Sequence, residues 1–463
     1  MSQALPSQQQ VEPGSQQNAP APGPQAAQSN GPHNAQRLIQ DSLLTIPKFG
    51  DGIGLHRMQW LIERIRQETP CPFNAIKVTG SNGKGSVCAM LSSMLQQLGL
   101  AHGLYTSPHL FRFNERIRFG AQEIRDEELI DAIAWWQQQQ SAFQQAFPDD
   151  RIGAFEAFTA IALQVFAKNK LSCLVSEAGI GGRFDATRMI AGDIAALTSL
   201  DLEHTALLGN TLEQIAYDKA DLCPPGGTLV VGRIGPALTQ RLSAYCAANQ
   251  IRMVVASSRC LVPNQQQDQQ QNDQQDQQQN HQQNRLVDIN IDGKIHSGIK
   301  LNLTGQHQQH NAEVAVCTLL EWLERYYPDA FDAAQLEQAI RTGLETVLWH
   351  GRGTLLQCDP EVYIDVGHSP AAVEAAVHSL RHLCAGKPVL LVTGVSQDKA
   401  IAGILQHLLP LASSVIATRA HHKGAPVDEI AHIIRQQAPA LSLSTAPDIQ
   451  TAMQQALAQA RRE

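Results

Sequence analysis

Short apolar runs alternate with longer amphipathic stretches along the chain from residue 36 onward. The short runs have the character of buried strands, and the longer stretches repeat their apolar residues at helical spacing. The predicted strands occupy residues 76–79, 171–176, 194–199, 228–231, 362–364, 389–393 and 415–417. Such alternation predicts βα units around a mainly parallel sheet, and therefore an α/β fold.

A glycine-rich turn over residues 80–86 follows the first predicted strand, and residues 87–98 then carry apolar side chains at helical spacing. Backbone N–H groups of such a turn can surround phosphate oxygens, and the start of a helix adds a partial positive charge. Lys84 adds a full charge, and Ser86 could hold a magnesium ion. The pattern is not the common P-loop, because Gly85 separates the lysine from the hydroxyl. We predict a phosphate-binding loop; the alternative is a strand-to-helix turn without a ligand.

Two segments lack the apolar residues that a folded core requires. Residues 1–35 are mostly Gln, Pro, Ala, Ser and Asn, which predicts a disordered tail without the basic start and apolar centre of an export signal. Residues 262–285 are almost wholly Gln, Asn and Asp. They predict a solvated insertion in a loop, with an aggregation or partner-binding role as the alternative.

A further boundary is expected near residue 350, where a predicted helix over residues 336–348 gives way to a glycine turn and a new strand. We therefore predict a first domain over residues 36–350 and a smaller α/β domain over residues 351–463. Active sites of two-domain α/β proteins tend to lie in the cleft between the domains.

Composition and charge narrow the possible functions. The formal net charge of −8 argues against a nucleic-acid surface, because affinity for phosphates depends on clustered Lys and Arg. The nine cysteines include no CxxC pair, so reduced, mostly buried thiols are expected, with a metal or disulfide role as the alternative. No uninterrupted apolar run approaches the ~20 residues of a membrane span. We expect a soluble, cytoplasmic monomer that acts on small molecules.

Several polar residues directly follow predicted strands, at the edge where parallel sheets bind ligands. Glu177 precedes a glycine-rich segment, and a carboxylate there is well placed to bind a hard cation near phosphate. His204 also follows a strand, although a lone histidine at such a position is usually a hydrogen-bonded loop residue. In the C-terminal part, Asp365 also follows a predicted strand, where its carboxylate can accept a hydrogen bond from a ribose hydroxyl.

The glycine-rich turn and two later segments resemble the Mur-type amide ligases, above all the folylpolyglutamate synthase and dihydrofolate synthase family. The segments are Thr-Gly-Ser-Asn-Gly-Lys-Gly-Ser at 79–86, Tyr-Thr-Ser-Pro-His-Leu at 105–110 with Asn-Glu-Arg-Ile at 114–117, and Glu-Ala-Gly-Ile-Gly-Gly-Arg-Phe-Asp-Ala-Thr at 177–187. The resemblance extends from about residue 47 to the C-terminus, interrupted by the Gln-rich insertion. It implies a P-loop-containing, Mur-ligase-like N-terminal domain with a parallel-sheet core, and a smaller α/β C-terminal ligase domain.

The resemblance also implies an activity, its cofactors and its site. The activity is that of an ATP-dependent amide ligase that adds L-glutamate to dihydropteroate, to reduced folates or to both through an acyl phosphate, with ATP and two Mg²⁺ ions. The implied nucleotide-binding residues are Asn82, Gly83, Lys84, Gly85, Ser86, Asn311, Arg352, Asp365 and His368. The implied magnesium ligands are Ser107, Glu177, His204 and a carbamylated Lys219. The implied substrate contacts are Gly153, Ala154, Phe155, Glu156, Phe184, Asp185 and Ala186, and the implied catalytic residues are Lys84, His204 and Lys219.

Two of these residues also have plain structural explanations. Lys219 could be a solvated lysine on a helix surface. Glu156 could be an acidic residue in the first turn of a helix, where a negative charge is favourable.

The chain departs from the family pattern at several positions. The usual Asp-x-Ala-His-Asn-Pro is Asp-Val-Gly-His-Ser-Pro at 365–370, and the usual Lys-Ala/Ser-Gly-Ile is Lys-Ala-Asp-Leu at 219–222. Glu203 replaces an aspartate before the histidine, and Arg188 replaces an asparagine and could favour a more acidic acceptor. Two alternatives therefore stay open: a paralogous ligase that joins an amino acid to a different carboxylate, and a nucleotide-binding paralogue without catalysis.

Overall fold

A computed structural model describes residues 32–47, 49–69, 74–258, 260–261, 286–291, 294–384, 386–420 and 423–462. The predicted Gln-rich insertion over 262–285 lies outside the described residues, as do residues 1–31 of the predicted tail. The first helix begins at Pro32, so the tail predicted over residues 1–35 overlaps this helix.

In the described residues the chain forms the following helices and strands. The helices are α1 (Pro32–Leu44), α2 (His56–Glu68), α3 (Lys84–Gln97), α4 (Asp126–Ala146), α5 (Ala154–Ala167), α6 (Thr205–Leu208), α7 (Leu212–Ala220), α8 (Pro236–Ala248), α9 (Gln306–Tyr326), α10 (Ala333–Thr346), α11 (Pro370–Leu383), α12 (Ile401–Leu408), α13 (Val427–Gln437) and α14 (Ile449–Ala460). The strands are β1 (Asn74–Thr79), β2 (His102–Tyr105), β3 (Ile117–Phe119), β4 (Gln122–Glu123), β5 (Cys173–Glu177), β6 (Ile194–Leu197), β7 (Thr228–Val231), β8 (Arg252–Val255), β9 (Cys260–Leu261), β10 (Leu286–Ile291), β11 (Lys294–Lys300), β12 (Thr354–Cys358), β13 (Glu361–Ile364), β14 (Leu390–Thr393), β15 (Ser414–Ala417) and β16 (Ser442–Thr445).

The largest sheet of the described chain has eight strands in the order β4-β3-β2-β5-β1-β6-β7-β8. The strands β2, β5, β1, β6, β7 and β8 pair parallel with their neighbours in this order. Strands β3 and β4 add an antiparallel edge beside β2. Strand β1 lies between β5 and β6, with Val78 opposite Glu177 and Thr79 opposite Leu197. The predicted α/β class is confirmed. The carboxyl ends of β5, β1 and β6 meet at one edge, which is where parallel sheets bind ligands.

Helices cover both faces of this sheet, as buried parallel strands require. On one face α3, α9 and α10 pack around a core that includes Met94 and Leu344, and on the other α1, α2, α4 and α5 pack around Trp136 and Phe166. Gly343 allows α10 to approach α3 closely, because a Cβ there would lie 2.7 Å from the Cγ of Met94. The helix that follows the glycine-rich turn is thereby fixed between the sheet and two other helices.

Strands β9, β10 and β11 form a small antiparallel sheet beside this core. In the β9–β10 pair Leu261 lies opposite Asp288. The described residues on either side of the Gln-rich insertion, in β9 and β10, are therefore held close together by antiparallel pairing.

Deleting residues 264–283 is expected to leave turnover and the thermal midpoint nearly unchanged. The free energy of loop closure rises by only about 0.6 kcal/mol for each doubling of loop length, and the β9–β10 pairing already joins the ends. Steady-state turnover and thermal unfolding of the deletion variant test this expectation. A large loss of folded, active protein would mean that the insertion stabilises the structure.

The chain after residue 350 builds a core of its own. Strands β12 and β13 pair antiparallel, whereas β14, β15 and β16 form a parallel three-stranded sheet. Helices α11, α12 and α13 pack against this sheet around Val373, Ile404, Val415 and Ile430. The first turn of α9 lies against α11, where a Cβ on Gly305 would lie 2.3 Å from the hydroxyl of Ser379.

The predicted strands agree with the structure to within a few residues: 228–231 coincides with β7, and 171–176 overlaps β5. Seven cysteines have described side chains, and five of these side chains are buried, as expected. None of the described helices combines the length and apolar character needed to span a membrane.

Candidate active site

The glycine-rich turn after β1 has a conformation that requires its glycines. Gly80 and Gly83 have φ angles of 145° and 84°, which residues with side chains rarely adopt. A Cβ on Gly83 would also lie 2.2 Å from the Oδ1 of Asn311 on α9. Lys84 begins α3, and its Nζ donates hydrogen bonds to the carbonyl oxygens of Gly80 and Ser81, at 2.7 and 3.3 Å. The predicted nucleotide-binding loop and Asn311 therefore lie in contact.

Two hydroxyl residues after β6 stabilise this turn. The Oγ1 of Thr198 donates to the carbonyl of Asn82 at 2.5 Å. The Oγ of Ser199 donates to the same carbonyl and accepts from the N–H of Asn82, both at 3.0 Å. Neither hydroxyl is predicted from the sequence as part of the site. The available signal is their position directly after a buried strand, and the adjacency of β6 and β1 brings them to the loop.

Ser86 and Gly85 lie in the first turn of α3. Ser86 is 1% exposed, and its Oγ has no hydrogen-bond partner within the described part of the chain. Because buried hydroxyls are normally paired, this atom is available to a ligand. Gly85 lies against Trp349, since a Cβ there would be 2.9 Å from the indole Nε1. Trp349 carries no sequence signal beyond its place after α10.

Glu177 ends β5 next to the glycine-rich turn and is 5% exposed. The backbone N–H of Ser107 donates to its Oε2 at 2.9 Å. Burial raises the pKa of Glu177, while the positive charges of Lys84, Arg352 and Arg116 act in the opposite direction. The structure thus brings two predicted magnesium ligands together, with cations around the buried carboxylate.

Lys219, on α7, is 1% exposed, so the alternative of a solvated helix lysine is wrong. Its Nζ donates to the Oε1 of Glu203 at 3.0 Å. Burial and the charge of Lys84 lower the pKa of Lys219, whereas Glu203 and Asp218 raise it. Lys84 therefore acts electrostatically on Glu177 and on Lys219 alike.

His204 follows Glu203 and has a left-handed backbone, with φ of 47°. Desolvation lowers its pKa; Glu203 opposes this effect, and Lys399 and Lys219 reinforce it. Within the described residues no three His, Cys, Asp or Glu side chains are arranged to hold one ion. A metal bound to the predicted set would therefore also use other oxygens, such as those of serine, of a lysine carbamate, of water or of a substrate.

The segment after Glu177 is organised around Asp185. This carboxylate is buried and accepts hydrogen bonds from the N–H groups of Gly179 and Ile180, at 2.8 and 3.0 Å, through one oxygen. Its other oxygen accepts from the N–H and hydroxyl of Thr187, at 2.9 and 2.6 Å. Asp185 therefore shapes the loop that contains Ala186, which is buried, and Phe184, which is 53% exposed.

The predicted contact segment at 153–156 starts α5. Gly153 is its N-cap, and the N–H of Gly153 donates to the Oε2 of Glu156 at 2.8 Å, so the first-turn explanation of this glutamate is confirmed. The ring of Phe155 lies against Gly179, where a Cβ would be 2.8 Å away. Ala154 follows the cap, and its N–H donates to the carbonyl of Pro47 at 2.7 Å. The 153–156 segment and the glycine-rich segment after β5 are therefore in contact.

Two departures from the family pattern interact with this region. Arg188 donates from Nη1 to the carbonyl of Arg183 at 2.7 Å, so its guanidinium binds backbone of its own loop. Asp221 accepts from the Nε of Arg183 at 2.6 Å and from the hydroxyl of Tyr245 at 2.9 Å. Both residues have local structural partners.

The C-terminal part adds Arg352, Asp365 and His368. Asp365 accepts from the N–H groups of Gly353 and Gly367, at 2.9 and 2.7 Å, and burial raises its pKa. The Nδ1 of His368 lies 3.1 Å from the carbonyl of Val366. Burial lowers the pKa of His368, as do the charges of three basic residues, Lys399, Arg352 and Lys84. His368 is therefore close enough to the glycine-rich turn for the charge of Lys84 to affect it.

Comparison with known proteins identifies the family. The model of the Mur ligase, glutamate ligase domain matches residues 351–463. Folylpolyglutamate synthase of Lacticaseibacillus casei is 30% identical over 340 residues, which cover 73% of this chain and 75% of that protein. The chain belongs to the folylpolyglutamate synthase family. A Bacillus subtilis relative named dihydrofolate synthase/folylpolyglutamate synthase is 29% identical over 373 residues, covering 80% of this chain and 81% of the relative.

Solved structures have the same fold over nearly the whole chain. Mycobacterium tuberculosis folylpolyglutamate synthase complexed with ADP matches with a TM-score of 0.80 and 25% identity, covering 92% of this chain and 91% of that one. Escherichia coli FolC in complex with DHPP and ADP matches with a TM-score of 0.74 and 25% identity, covering 92% of this chain and 91% of that one. A bifunctional folylpolyglutamate synthase/dihydrofolate synthase with Mn, AMPPNP and L-glutamate bound matches with a TM-score of 0.72 and 26% identity. The match covers 91% of this chain and 92% of that one.

Membership in this family makes the chain an ATP-dependent ligase, which confirms the enzyme class that the sequence segments imply. The alternative of a nucleotide-binding paralogue without catalysis receives no support from these relatives.

Proposed function

We propose that this ligase joins L-glutamate to the carboxylate of dihydropteroate, of a reduced folate, or of both, and converts ATP to ADP and phosphate. The observation that carries the proposal is the buried Glu177 beside Lys84, at the edge where β5 and β1 end. The names of the Bacillus and Lacticaseibacillus relatives support these acceptors. The DHPP and ADP bound to Escherichia coli FolC, and the L-glutamate bound to the bifunctional enzyme, support the same substrates.

The proposed reaction has two steps. The acceptor carboxylate takes the γ-phosphoryl group of ATP, which gives an acyl phosphate and ADP. The amino nitrogen of glutamate then attacks the acyl carbon, the bond from that carbon to the phosphate oxygen breaks, and the amide and inorganic phosphate are formed. No protein nucleophile is required.

In this proposal the glycine-rich turn and Lys84 bind the triphosphate, because backbone N–H groups and an ammonium stabilise the charge that develops on phosphate oxygens. Arg352 supplies a second positive charge from the C-terminal part. Asn311, Asp365 and His368 complete the nucleotide site. The contact of Asn311 with Gly83 supports this assignment, as do the electrostatic effects of Lys84 on His368 and of Arg352 on Asp365.

We assign two magnesium ions to this site, and the residues present fit them. Magnesium prefers oxygen ligands, and the unpartnered, buried Oγ of Ser86 and the adjacent Ser107 and Glu177 supply oxygens. His204 and a carbamate on Lys219 would hold the second ion. Bound there, magnesium would neutralise charge on the transferred phosphoryl group.

Lys219 has the environment that carbamate formation requires. Only a neutral amine reacts with CO₂, and burial together with Lys84 lowers the pKa of Lys219. The carbamate would present negative oxygens in place of an ammonium beside Glu203. A cation between the two groups would then be needed to offset their repulsion, which agrees with the ligand role of Lys219.

Turnover should fall by about tenfold or more in CO₂-depleted buffer, since a nearby electrostatic stabiliser is lost, and should recover when bicarbonate is added. Phosphate release by the parent enzyme measures both changes. The Lys219→Ala variant is the control, because it should be inactive with and without bicarbonate. Equal turnover of the parent in both buffers would show that the free amine is the working form.

We assign the acceptor to the two predicted contact segments, residues 153–156 and 184–186. Phe155 and Phe184 offer aromatic surface to a flat pterin ring, which agrees with the partial exposure of both side chains. The remainder of the proposed acceptor-binding surface would consist of Gly153, Ala154, Glu156 and Ala186. Asp185 would stabilise the conformation of the loop that contains Ala186.

We also propose the division into a domain over residues 36–350 and a C-terminal domain over 351–463, in a cytoplasmic monomer. The separate core around Val373 and Val415 supports the division.

Phosphate release tests the substrate assignment. Assays with ATP, Mg²⁺ and L-glutamate should show turnover with dihydropteroate, with tetrahydrofolate or with both, and none without an acceptor or without glutamate. Robust ATP- and glutamate-dependent turnover on another carboxylate, with none on either pterin, would refute the acceptor assignment and leave the ligase mechanism intact.

A further inference from the structure

Arg57 is the second residue of α2, and its guanidinium is almost completely buried, at 3% exposure. Its Nε donates to both carboxylate oxygens of Glu156, each at 3.0 Å. One terminal nitrogen donates to the carbonyl of Asp51 at 2.8 Å and to the Oδ1 of Asp150 at 3.0 Å. The other donates to the carbonyl of Gly52 at 3.1 Å. One side chain therefore joins three separate segments.

The loop over residues 49–52 packs backbone to backbone on the start of α5. A Cβ on Gly153 would lie 2.6 Å from the backbone nitrogen of Gly50, and a Cβ on Gly50 would lie 2.5 Å from the carbonyl oxygen of Arg151. The N–H of Asp51 donates to that same carbonyl at 3.2 Å. Such close packing leaves no room for adjustment, so the loop position and the α5 N-terminus are determined together.

Glu156 connects this arrangement to the acceptor segment. It caps α5 through the N–H of Gly153 and binds the Nε of Arg57 with the same carboxylate. Phe155, next to it, lies against Gly179 of the loop after Glu177. A shift of the guanidinium would therefore move the backbone that presents Phe155, whereas the glycine-rich turn that binds nucleotide is held by Thr198 and Ser199 instead.

We propose that Arg57 is a positioning residue for the acceptor substrate, which it aligns by fixing the loop over 49–52 and the first turn of α5. This inference rests on the proposed function, since the acceptor is assigned to that turn. Arginine is required because its planar fork reaches two carboxylates and two carbonyls at once, which a single ammonium cannot do.

Steady-state kinetics of the full chain test the role of Arg57. In Arg57→Lys the KM for dihydropteroate or tetrahydrofolate should rise on the order of tenfold, because a small displacement of a positioning segment is costly, while the KM for ATP stays within about twofold. A merely structural role would reduce the amount of active enzyme and the apparent kcat without changing either KM.

Two further variants complete the experiment. Asp150→Asn weakens one of the hydrogen bonds of Arg57 and keeps the guanidinium, so it should raise the acceptor KM by less than Arg57→Lys does. It replaces Arg57→Lys in the experiment if that variant does not fold. Arg151→Lys is the matched control, because Arg151 pairs with Asp51 of the same loop at the surface, at 62% exposure, and should change neither KM.

An unchanged acceptor KM in folded Arg57→Lys or Asp150→Asn overturns the positioning role, as does an equal rise in the KM for ATP. Inactivity of the parent enzyme with both pterins overturns the proposed function, and the acceptor role of Arg57 with it. Activity of the parent combined with an unchanged acceptor KM in the variants overturns the positioning role alone.

Discussion

Lys84→Ala is expected to lower turnover by roughly two to three orders of magnitude, equivalent to ~2.7–4 kcal/mol of transition-state stabilisation, as is typical when one electrostatic stabiliser is removed. Lys84 begins α3 directly after the glycine-rich turn, and its charge affects the pKa values of Glu177, Glu203 and Lys219. Its charge thus acts on Glu177 and on Lys219, which belong to the two proposed metal positions. Phosphate release at saturating ATP, acceptor and glutamate measures the loss.

The fold should survive this change. The Nζ of Lys84 donates to the carbonyls of Gly80 and Ser81 and supplies no core contact, so the thermal midpoint should stay close to that of the parent. Lys170→Ala is a matched control, because Lys170 is an exposed lysine away from the turn, and this variant should keep full turnover. Near-normal turnover in Lys84→Ala would refute the assignment of the phosphate-binding loop.

Glu177→Gln is expected to depress turnover by about a hundredfold or more and to raise the magnesium concentration needed for half-maximal activity. The substitution keeps the shape of the side chain and an acceptor for the N–H of Ser107, which lies 2.9 Å from the carboxylate. It removes the negative charge that a magnesium ion requires. Magnesium titrations of the variant and the parent, at fixed ATP, measure the shift.

The folding stability of Glu177→Gln, measured in the absence of metal, is the control for this variant. Burial raises the pKa of Glu177, which means that the folded protein bears a cost for holding this carboxylate charged without a metal. A neutral amide avoids that cost, so in the absence of metal Glu177→Gln should be at least as stable as the parent. Overlapping magnesium titrations would show that Glu177 is not a ligand.

Much of the fold is predictable from local pattern. The strand at 228–231 and the turn from β1 into α3 depend on short-range features: apolar runs of strand length, glycines with positive φ, and helical spacing of apolar residues. Glu156 as a first-turn residue of α5 belongs to the same class, because its partner Gly153 is three residues away.

The partners of the site residues depend on tertiary structure. The sequence does not specify that Lys219 binds Glu203, that Asn311 touches Gly83, or that Trp349 covers Gly85. These contacts join residues that are far apart in the chain, and the strand order and the packing of α9 and α10 determine which of them meet.

The sequence by itself determined the α/β class and the glycine-rich turn between β1 and α3, because these follow from local spacing and residue type, whereas most candidate site residues came from the resemblance to a known family. Only the tertiary structure decided that Lys219 is buried and not solvated. It alone decided that Arg57, distant in sequence from Glu156, joins two loops to the acceptor segment. Burial and hydrogen bonding across such distances arise from packing, which no local pattern encodes.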